Sequence, residues 1–465
     1  MPAWTINNFV RTPLLLLGLI ESAILFSSVY LAGIFVFGSV QSCEENIGPL
    51  LPRAITVAVI VIISLIAMGL YHFHQRANAK EILVRVVVST FISAVVLSSS
   101  FYLLPTISLP MNLAAGAMLV AMLAIMIVRF IFLRIVDENI FRHRTLIYGA
   151  GERSAAILDF RRRADRRGFR IVGTVPAPGD TQITDHRSLM TGSHNLLGIA
   201  QEKDADEIVI AMDDRRGNLP VRDLLDCKLR GINVIDLVEF MERESGKIRI
   251  DLVNPGWLIF SPGFRVNAAR SFIKRTMDIT VAALALLLLW PVMLLVVLAI
   301  KLGEGLRAPV LYRQSRVGLH GNTFDVLKFR SMRVDAEADG QAVWADKNDS
   351  RITRVGGVLR KFRLDELPQI INVFKGEMSL VGPRPERPQF VEQLSESIPY
   401  YSERHTVKPG VTGWAQLRYA YGSSAEDAAE KLQYDLYYVK NQNLLLDLVI
   451  CLQTVEVVLW GKGAR

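Results

Sequence analysis

Residues 279–300 read ITVAALALLLLWPVMLLVVLAI, an apolar run that contains one proline, Pro291. A straight helix of this length would be about 33 Å long, enough to cross a bilayer. Basic residues flank the run on both sides, and basic flanks favour the same face of a membrane. The proline removes a backbone donor and favours a bend. We therefore predict a re-entrant membrane hairpin over 279–300; a fifth full span with a kink at Pro291 is the alternative.

Four further apolar runs occupy the first third of the chain, at 13–37, 54–71, 82–104 and 111–133. Each approaches the ~20 residues that a membrane-spanning helix needs. The links after the second and fourth runs are basic and the other two are not, so both ends of the bundle should face the cytoplasm. We predict a membrane α-helical bundle of four spans over 1–140. Within this bundle, Glu21 would have either a functional role or a structural role in which it faces the interior of the bundle.

The composition narrows the class of protein. The chain has 465 residues, of which 51% are hydrophobic, and a net charge of +8, which fits anionic partners such as lipid headgroups or phosphorylated substrates. No known nucleic-acid-binding motif occurs, so we expect no nucleic-acid partner. Cys43, Cys227 and Cys451 are far apart, which argues against a disulfide framework, a zinc site or an iron–sulfur site.

Strand and helix patterns alternate over 141–265, which predicts a Rossmann-like α/β domain with a parallel sheet. Gly149 and Gly151 begin a dinucleotide fingerprint, but Ser154 stands at the third glycine position and no acidic residue ends the second strand. We expect a structural or regulatory domain, with dinucleotide binding as the alternative. The basic run 161–163 is typical of a solvated helix face, or of one that lies against acidic lipids.

The remainder, 266–465, should be a monotopic α/β catalytic domain that carries the hairpin. Its segment 351–386 reads RITRVGGVLRKFRLDELPQIINVFKGEMSLVGPRPE and surrounds two adjacent carboxylates, Asp365 and Glu366, with Arg and Lys. Such a cluster suits a phosphate substrate with a carboxylate performing chemistry. Arg384 lies between Pro383 and Pro385, which restrict the backbone and lower the entropy lost on binding. The other candidate phosphate-binding cations are Lys328, Arg330 and Arg363.

The carboxylate pair precedes Pro368, which is tolerated in the first turn of a helix, so the pair should open one. Asp365 would be either a helix N-cap or an ionised nucleophile that the nearby cations keep at low pKa. Its attack on phosphorus would give an acyl phosphate. Mg²⁺ binds carboxylates together with substrate phosphates, so we expect Mg²⁺ here, with Asp365 and Asp435 as candidate ligands. The apolar C-terminal stretch 443–463 would form an interfacial helix or a core helix.

Six separated motifs occur in order over about 270–465: KRTMD, Q-x-R-x-G, KFRSM, RLDELPQ, GEMSLVGPRPE and VKPGVTGWAQ. Together they resemble the bacterial sugar transferase family, the monotopic polyprenyl-phosphate phosphoglycosyl transferases, and the preceding bundle and α/β domain resemble its large form. The resemblance implies that Asp365, with Glu366 beside it, attacks the sugar-proximal phosphate of a UDP-sugar and releases UMP. The sugar phosphate would then pass to undecaprenyl phosphate, as the first step of exopolysaccharide or glycan assembly.

The resemblance also implies roles for other residues. Mg²⁺ is the family cofactor, and the Pro-Arg-Pro element at 383–385 is implied in nucleotide-sugar binding. The hairpin entrance would be braced by Lys274, Arg275 and Asp278. Small family members break the hairpin at a Ser-Pro pair, where this chain has Trp290 before Pro291.

These expectations identify the binding partners of the protein and its location in the cell. The partners would be a UDP-sugar, undecaprenyl phosphate and the lipid bilayer, with homo-oligomerisation left open. The protein would be a multi-pass protein of the bacterial inner membrane, with its catalytic domain in the cytoplasm. One alternative is a membrane-anchored nucleotide-sugar dehydratase or epimerase, which needs a full glycine fingerprint and a Tyr-x3-Lys pair that this chain lacks. The other is a non-catalytic scaffold of a polysaccharide assembly complex.

Overall fold

The computed structural model describes residues 12–71, 79–135, 142–158, 168–180, 195–215, 218–253, 255–264, 268–333, 351–419 and 424–460. The basic run 161–163 lies outside them. The chain forms two compact units, Met1–Ser245 and Gly246–Arg465. The start of the second unit is tied to its later part, since Trp414 Nε1 donates to the carbonyl of Gly246 across 2.7 Å.

Helices form the first part of the first unit. They are α1, Thr12–Phe37; α2, Val40–Ile47; α3, Leu50–Ala67; α4, Ala79–Leu103; and α5, Met111–Ile135. Helix α1 packs against α3 and α5, and both of these contact α4, which closes a ring of four long helices. Within the described part of the chain, five helices are long and apolar enough to cross a membrane, and these four are among them. Several of their serines bond to carbonyls of their own helix, as Ser93 Oγ does to Ser89 O at 2.7 Å, which satisfies those hydroxyls without water.

A polar cluster joins three of these helices. Arg129 on α5 donates through Nη2 to the Glu21 carboxylate at 2.8 Å, and through Nη1 to the carbonyl of Leu70 at 2.9 Å. Tyr71, just after α3, donates its hydroxyl to the same carboxylate. Glu21 is fully buried, and the paired charges satisfy one another. The geometry therefore favours the structural role for Glu21.

A parallel sheet follows the bundle, built from β1, His143–Tyr148; β2, Phe169–Val175; β3, Glu207–Ile210; and β4, Asn233–Asp236. Its strand order is β2-β1-β3-β4. The helices of this region are α6, Glu152–Leu158; α7, Leu196–Glu202; α8, Val221–Leu229; and α9, Leu237–Ser245. The α/β architecture expected for this region is therefore present, with its apolar core between the sheet and helices α7 and α8.

The glycine turn after β1 is filled by the chain's own carboxylates. Asp213 accepts hydrogen bonds from the backbone N–H of Glu152 (3.1 Å) and of Arg153 (2.9 Å), at the start of α6. Asp180 accepts one from the backbone N–H of Ala150 (2.7 Å). A dinucleotide would place its pyrophosphate against such amides. The half-present fingerprint therefore coincides with a turn whose anion position is already negatively charged.

The second unit combines helices with two small sheets. Its helices are α10, Pro255–Phe260; α11, Ala268–Glu304; α12, Arg354–Lys361; α13, Gln369–Lys375; α14, Pro388–Ser397; α15, Trp414–Arg418; α16, Ala425–Asn441; and α17, Leu444–Trp460. Strands β5, Leu311–Val317, and β6, Thr323–Phe329, form an antiparallel hairpin. Strands β7, Ser379–Val381, and β8, Gly410–Thr412, pair in parallel.

The apolar run that contains Pro291 lies in one continuous helix. Helix α11 has Pro291 inside it, whereas the sequence predicted a bent hairpin confined to 279–300. Proline lacks only one helical hydrogen bond, so the turns on either side keep the helical path through it. The helix is therefore continuous in secondary structure, and a proline inside a helix still favours the bend that the re-entrant prediction needs.

Both ends of α11 pack on the same unit. Near its start, Ala282 lies in an apolar cluster with Val326 of β6, and near its end Ile300 clusters with Phe329 of the same strand. Between these contacts the helix exposes large apolar side chains, for example Leu288, which is 72% exposed. The exposed apolar middle of α11 is thus suited to contact with a membrane. Strand β6 of the globular unit contacts the helix on both sides of that middle part.

Helix α17 is apolar on two faces. Leu446 and Ile450 are fully buried in the unit, whereas Leu448 is 52% exposed. The buried face of α17 therefore fits the interpretation of this stretch as a core helix, and its exposed face fits the interpretation as an interfacial helix.

Candidate active site

The Pro-Arg-Pro segment is held rigidly by its backbone. Each of the four carbonyls of 383–386 accepts a hydrogen bond, and the donors come from three parts of the unit. The donors are, in chain order, Gly410 N at 2.9 Å, Arg404 Nη2 at 3.0 Å, Arg316 Nη1 at 3.1 Å and Val317 N at 2.9 Å. The guanidinium of Arg384 is therefore presented from a backbone that has little freedom to move.

Glu366 is the focus of the surrounding cations. Its Oε1 lies 3.0 Å from Arg384 Nη2 and 3.3 Å from Lys328 Nζ, and its Oε2 lies 3.8 Å from Arg363 Nη1. The Glu366 side chain is only 16% exposed, so water screens these charges poorly. Three of the cations predicted for phosphate binding thus meet at the carboxylate pair.

Local structure explains how residues distant in sequence meet there. Asp365 and Glu366 lie in a 3₁₀ turn, Leu364–Glu366, between α12 and α13. Arg363 precedes this turn in the left-handed region, at φ 54°, which turns the chain sharply after α12. The pair therefore leads into α13 as expected, but Pro368, and not Asp365, occupies the N-cap position of that helix.

The two neighbouring carboxylates have opposite pKa shifts. Burial alone would raise the pKa of Glu366, but the charges of Arg384 and Lys328 outweigh it and hold that pKa well below its usual range. Burial and the adjacent Glu366 charge raise the pKa of Asp365 above its usual value, against the opposing effect of Lys328. The expectation of a low pKa for Asp365 is therefore wrong, because the cations pair with its neighbour. A more basic carboxylate is also a better nucleophile once ionised.

The start of α11 supports the helix that follows the pair. Arg275 donates through Nη1 to the carbonyl of Val373 and through Nη2 to that of Phe374, each at 2.7 Å. These carbonyls belong to the last turn of α13, which ends at Gly376 with φ 94°. A cation at a helix C-terminus satisfies carbonyls that lack helical donors. The membrane helix therefore fixes the orientation of α13.

A second contact from α11 supports the strand that leads to Arg384. Lys274 Nζ lies 2.7 Å from the carboxylate of Asp447 on α17 and 3.2 Å from the carbonyl of Val381, the last residue of β7. Tyr438 donates its hydroxyl to the same Asp447, at 2.7 Å. The backbone N–H of Leu380 donates to Asp278, at 3.0 Å. These contacts tie the start of α11, where the resemblance implies the hairpin entrance, to β7 and α17.

Other predicted site residues lie elsewhere in the unit. Arg330 donates through Nε to the carbonyl of Pro309 at 3.1 Å and does not bond to the carboxylate pair. Asp435, a candidate metal ligand, is buried and lies 2.7 Å from Arg404 Nη2. Pro291 is exposed within α11.

Sequence reasoning missed two residues that organise the site. Arg404 holds the Arg384 carbonyl, but in the sequence it stands in no recognisable pattern. Asn372 is fully buried and accepts a bond from Leu327 N at 3.0 Å while donating to the carbonyl of Asp325 at 2.8 Å, which ties α13 to β6. The available signal was a polar residue that interrupts the apolar side chains of the helix 369–375.

The carboxylates at the site are candidate ligands for a metal ion. Among the described residues, no group of three or more His, Cys, Asp or Glu side chains is arranged to hold one. Mg²⁺ commonly binds only one or two carboxylates together with substrate phosphates. Arg384 and Lys328 pair with Glu366, so Asp365 is the carboxylate of the pair that remains for an ion. The donor set fits an ion that Asp365 and a bound diphosphate hold together.

Comparison with known proteins identifies relatives of the second unit. The model of the family described as bacterial sugar transferase matches residues 269–461. A UDP-N-acetylgalactosamine-undecaprenyl-phosphate N-acetylgalactosaminephosphotransferase of Aeromonas hydrophila is 43% identical over 247 residues, 52% of this chain and 56% of that protein. A UDP-glucose:undecaprenyl-phosphate glucose-1-phosphate transferase of Xanthomonas campestris pv. campestris is 44% identical over 193 residues, 41% of this chain and 40% of that protein.

A shorter relative is matched over nearly its whole length. The uncharacterized sugar transferase EpsL of Bacillus subtilis strain 168 is 38% identical over 197 residues, 42% of this chain and 90% of that protein. This chain therefore belongs to the bacterial sugar transferase family. It spans about half the length of the first two relatives, 56% and 40%.

Proposed function

We propose that this protein transfers a sugar 1-phosphate from a UDP-sugar to undecaprenyl phosphate, as the first step of exopolysaccharide or glycan assembly. The observation that carries the proposal is the arrangement of the carboxylate pair: Glu366 binds the cations, and Asp365 beside it keeps a raised pKa. The names of the relatives from Aeromonas and Xanthomonas support it, because both act on a UDP-sugar and undecaprenyl phosphate.

In the first step, a carboxylate oxygen of Asp365 forms a bond to the sugar-proximal phosphorus. The bond between that phosphorus and the bridging oxygen breaks, and UMP leaves with the electron pair. Arg384 and Lys328 can exchange the Glu366 carboxylate for phosphate oxygens and stabilise the charge that develops there. In the second step, an oxygen of undecaprenyl phosphate attacks the same phosphorus and Asp365 leaves as a carboxylate.

We propose Mg²⁺ as the cofactor, bound by Asp365 and the diphosphate. When bound, the ion would neutralise phosphate charge and favour departure of UMP. Asp435 is the other metal ligand that the sequence suggested, but its ion pair with Arg404 supports a positioning role instead.

We further propose the finer architecture and the location. The bundle would span the bacterial inner membrane four times, and the second unit would lie on the cytoplasmic side with α11 re-entering one leaflet. The packing of both ends of α11 against β6 supports this, since a full crossing would separate those ends by the thickness of the bilayer. The parallel strand order β2-β1-β3-β4 supports a doubly wound α/β domain, to which the Rossmann-like class belongs, in the order typical of its flavodoxin-like form.

The two alternative functions have less support. A dinucleotide-dependent dehydratase or epimerase needs an open phosphate position at the glycine turn, where Asp213 and Asp180 lie. A non-catalytic scaffold needs no carboxylate with a raised pKa beside three cations.

The test is transfer of label from a donor to the protein. Membranes with the full chain are incubated with a UDP-sugar labelled in the sugar, without acceptor, and the protein is digested for mass spectrometry. We expect sugar phosphate on Asp365, with one UMP released per site. Asp365→Asn should abolish both labelling and UMP release, whereas the exposed control Asp251→Asn should retain them. UMP release that survives Asp365→Asn would refute the proposed nucleophile.

A further inference from the structure

A second cavity in the C-terminal unit lies apart from the carboxylate pair. It has a volume of about 440 Å³, within the range of roughly 300–1,000 Å³ that is usual for ligand pockets. Its apolar wall comes from α10, from the segment after α14 and from α16. The apolar lining residues are Pro255, Leu258, Ile259, Phe264, Val407 and Val439. None of these residues has a part in the chemistry proposed above.

The cavity is lined by one cation and one anion, which are not paired with each other. Arg270, at the start of α11, is exposed and donates to the carbonyl of Gln442 at 2.9 Å, which leaves most of its N–H groups available. Glu403 is also exposed, and its carboxylate makes no hydrogen bond or ion pair within the described residues. A ligand with a negative and a positive group would satisfy both side chains.

The surroundings of the cavity are suited to a lipid surface. Ile259 and Phe260 on α10 are 74% and 86% exposed, and Phe272 on α11 is 73% exposed. Clustered exposed apolar side chains next to a membrane helix are typical of segments that lie at the bilayer interface. The cavity therefore opens beside side chains that would be immersed in lipid.

We infer that this cavity binds a zwitterionic phospholipid of the phosphatidylethanolamine class. One acyl chain would fill the apolar wall, the phosphate would contact Arg270, and the primary ammonium would contact Glu403. An anionic phospholipid such as phosphatidylglycerol would leave the Glu403 carboxylate without a cationic partner. The inference rests on the membrane location proposed above and does not depend on the chemistry at Asp365.

Native mass spectrometry of the full chain, released from nanodiscs of mixed composition, tests this inference. The nanodiscs contain phosphatidylethanolamine, phosphatidylglycerol and undecaprenyl phosphate in equal amounts. We expect one phosphatidylethanolamine to be retained per chain. Leu258→Trp, which fills the cavity, should reduce this retention at least about fivefold. Phe260→Trp, on the same helix but outside the cavity, should leave it unchanged.

Charge reversal supplies the second arm. Glu403→Lys should reduce phosphatidylethanolamine retention and raise retention of phosphatidylglycerol, whereas Glu396→Lys, at an exposed glutamate outside the cavity, should do neither. Thermal unfolding of each variant identifies those that fail to fold. Equal loss in Leu258→Trp and Phe260→Trp, or retention of undecaprenyl phosphate alone, would overturn the inference. Asp365→Asn should retain the lipid, so failure of the proposed catalysis and failure of this site give different results.

Discussion

The guanidinium of Arg384 donates to the carboxylate of Glu366 across 3.0 Å, and the Arg384 carbonyl is itself held by Arg404. The arginine is therefore positioned at both its backbone and its side chain before any substrate binds. In the proposed mechanism, a phosphate oxygen would replace the Glu366 carboxylate at Arg384. Exchange of one anion for the other would then let the site bind a diphosphate with little rearrangement of the backbone.

Replacement of Arg384 by lysine should reduce transfer strongly. Lysine keeps the charge but cannot bind phosphate through two parallel N–H groups. We expect kcat/KM for the UDP-sugar to fall about 10²-fold, the usual cost of losing a donor to developing charge. The measurement is initial-rate UMP release in membranes or nanodiscs.

Arg330→Lys is the matched comparison for that variant. The sequence grouped Arg330 with Arg384, but its guanidinium donates to the Pro309 carbonyl. We expect less than about a threefold change in kcat/KM, since a half-buried side chain that does not touch the reacting groups contributes little to the reaction. A loss comparable to that of Arg384→Lys would show that Arg330 reaches the substrate.

The acid side of the pH–activity profile should depend on Glu366. Burial and the Glu366 charge raise the pKa of Asp365, so Asp365 becomes protonated, and transfer declines, at a higher pH than for an ordinary aspartate. Glu366→Gln removes a negative neighbour and leaves Lys328 in place, which lowers the pKa of Asp365. We expect lower activity and an acid limb of kcat/KM that shifts to lower pH. An acid limb that stays in place or shifts upward would contradict this assignment of charges.

Asp435→Asn separates a positioning role from a metal-binding role. Removing one partner of a buried ion pair leaves Arg404 uncompensated, which typically costs about 3–5 kcal/mol. We expect a lower unfolding temperature and weaker UDP-sugar binding, because Arg404 holds the Arg384 carbonyl. The Mg²⁺ concentration that gives half-maximal activity should not change. An unchanged unfolding temperature together with a raised Mg²⁺ requirement would make Asp435 a ligand after all.

Glu21→Ala should destabilise the helical bundle without acting on the chemistry. It leaves the buried guanidinium of Arg129 without its carboxylate, at a cost of about 3–5 kcal/mol. Ser99→Ala is the control, since the Ser99 hydroxyl bonds only to a carbonyl of its own helix. Thermal unfolding in detergent should show a decrease for Glu21→Ala alone. If the two variants unfold alike, the buried pair does not stabilise the bundle.

The sequence predicted the apolar helices and the α/β sheet because hydrophobic runs and alternating patterns are local properties of the chain. It also predicted Asp365, Glu366 and Arg384 as one site, through adjacent charges and a restricted backbone. It could not assign the cations to the correct carboxylate. Lys328 lies on a strand 38 residues before Glu366, and the sharp turn at Arg363 decides which carboxylate it meets.

The packing of α11 has a further consequence for the membranes in which this protein can work. A helix that crosses a bilayer must match its thickness, and a mismatch costs fractions of a kcal/mol per ångström. One domain holds both ends of α11, so in the proposed position the helix has no far interface to match. A change in bilayer thickness would therefore put little strain on the contacts that Lys274 and Arg275 make with the rest of the unit. Transfer should consequently tolerate changes in lipid chain length.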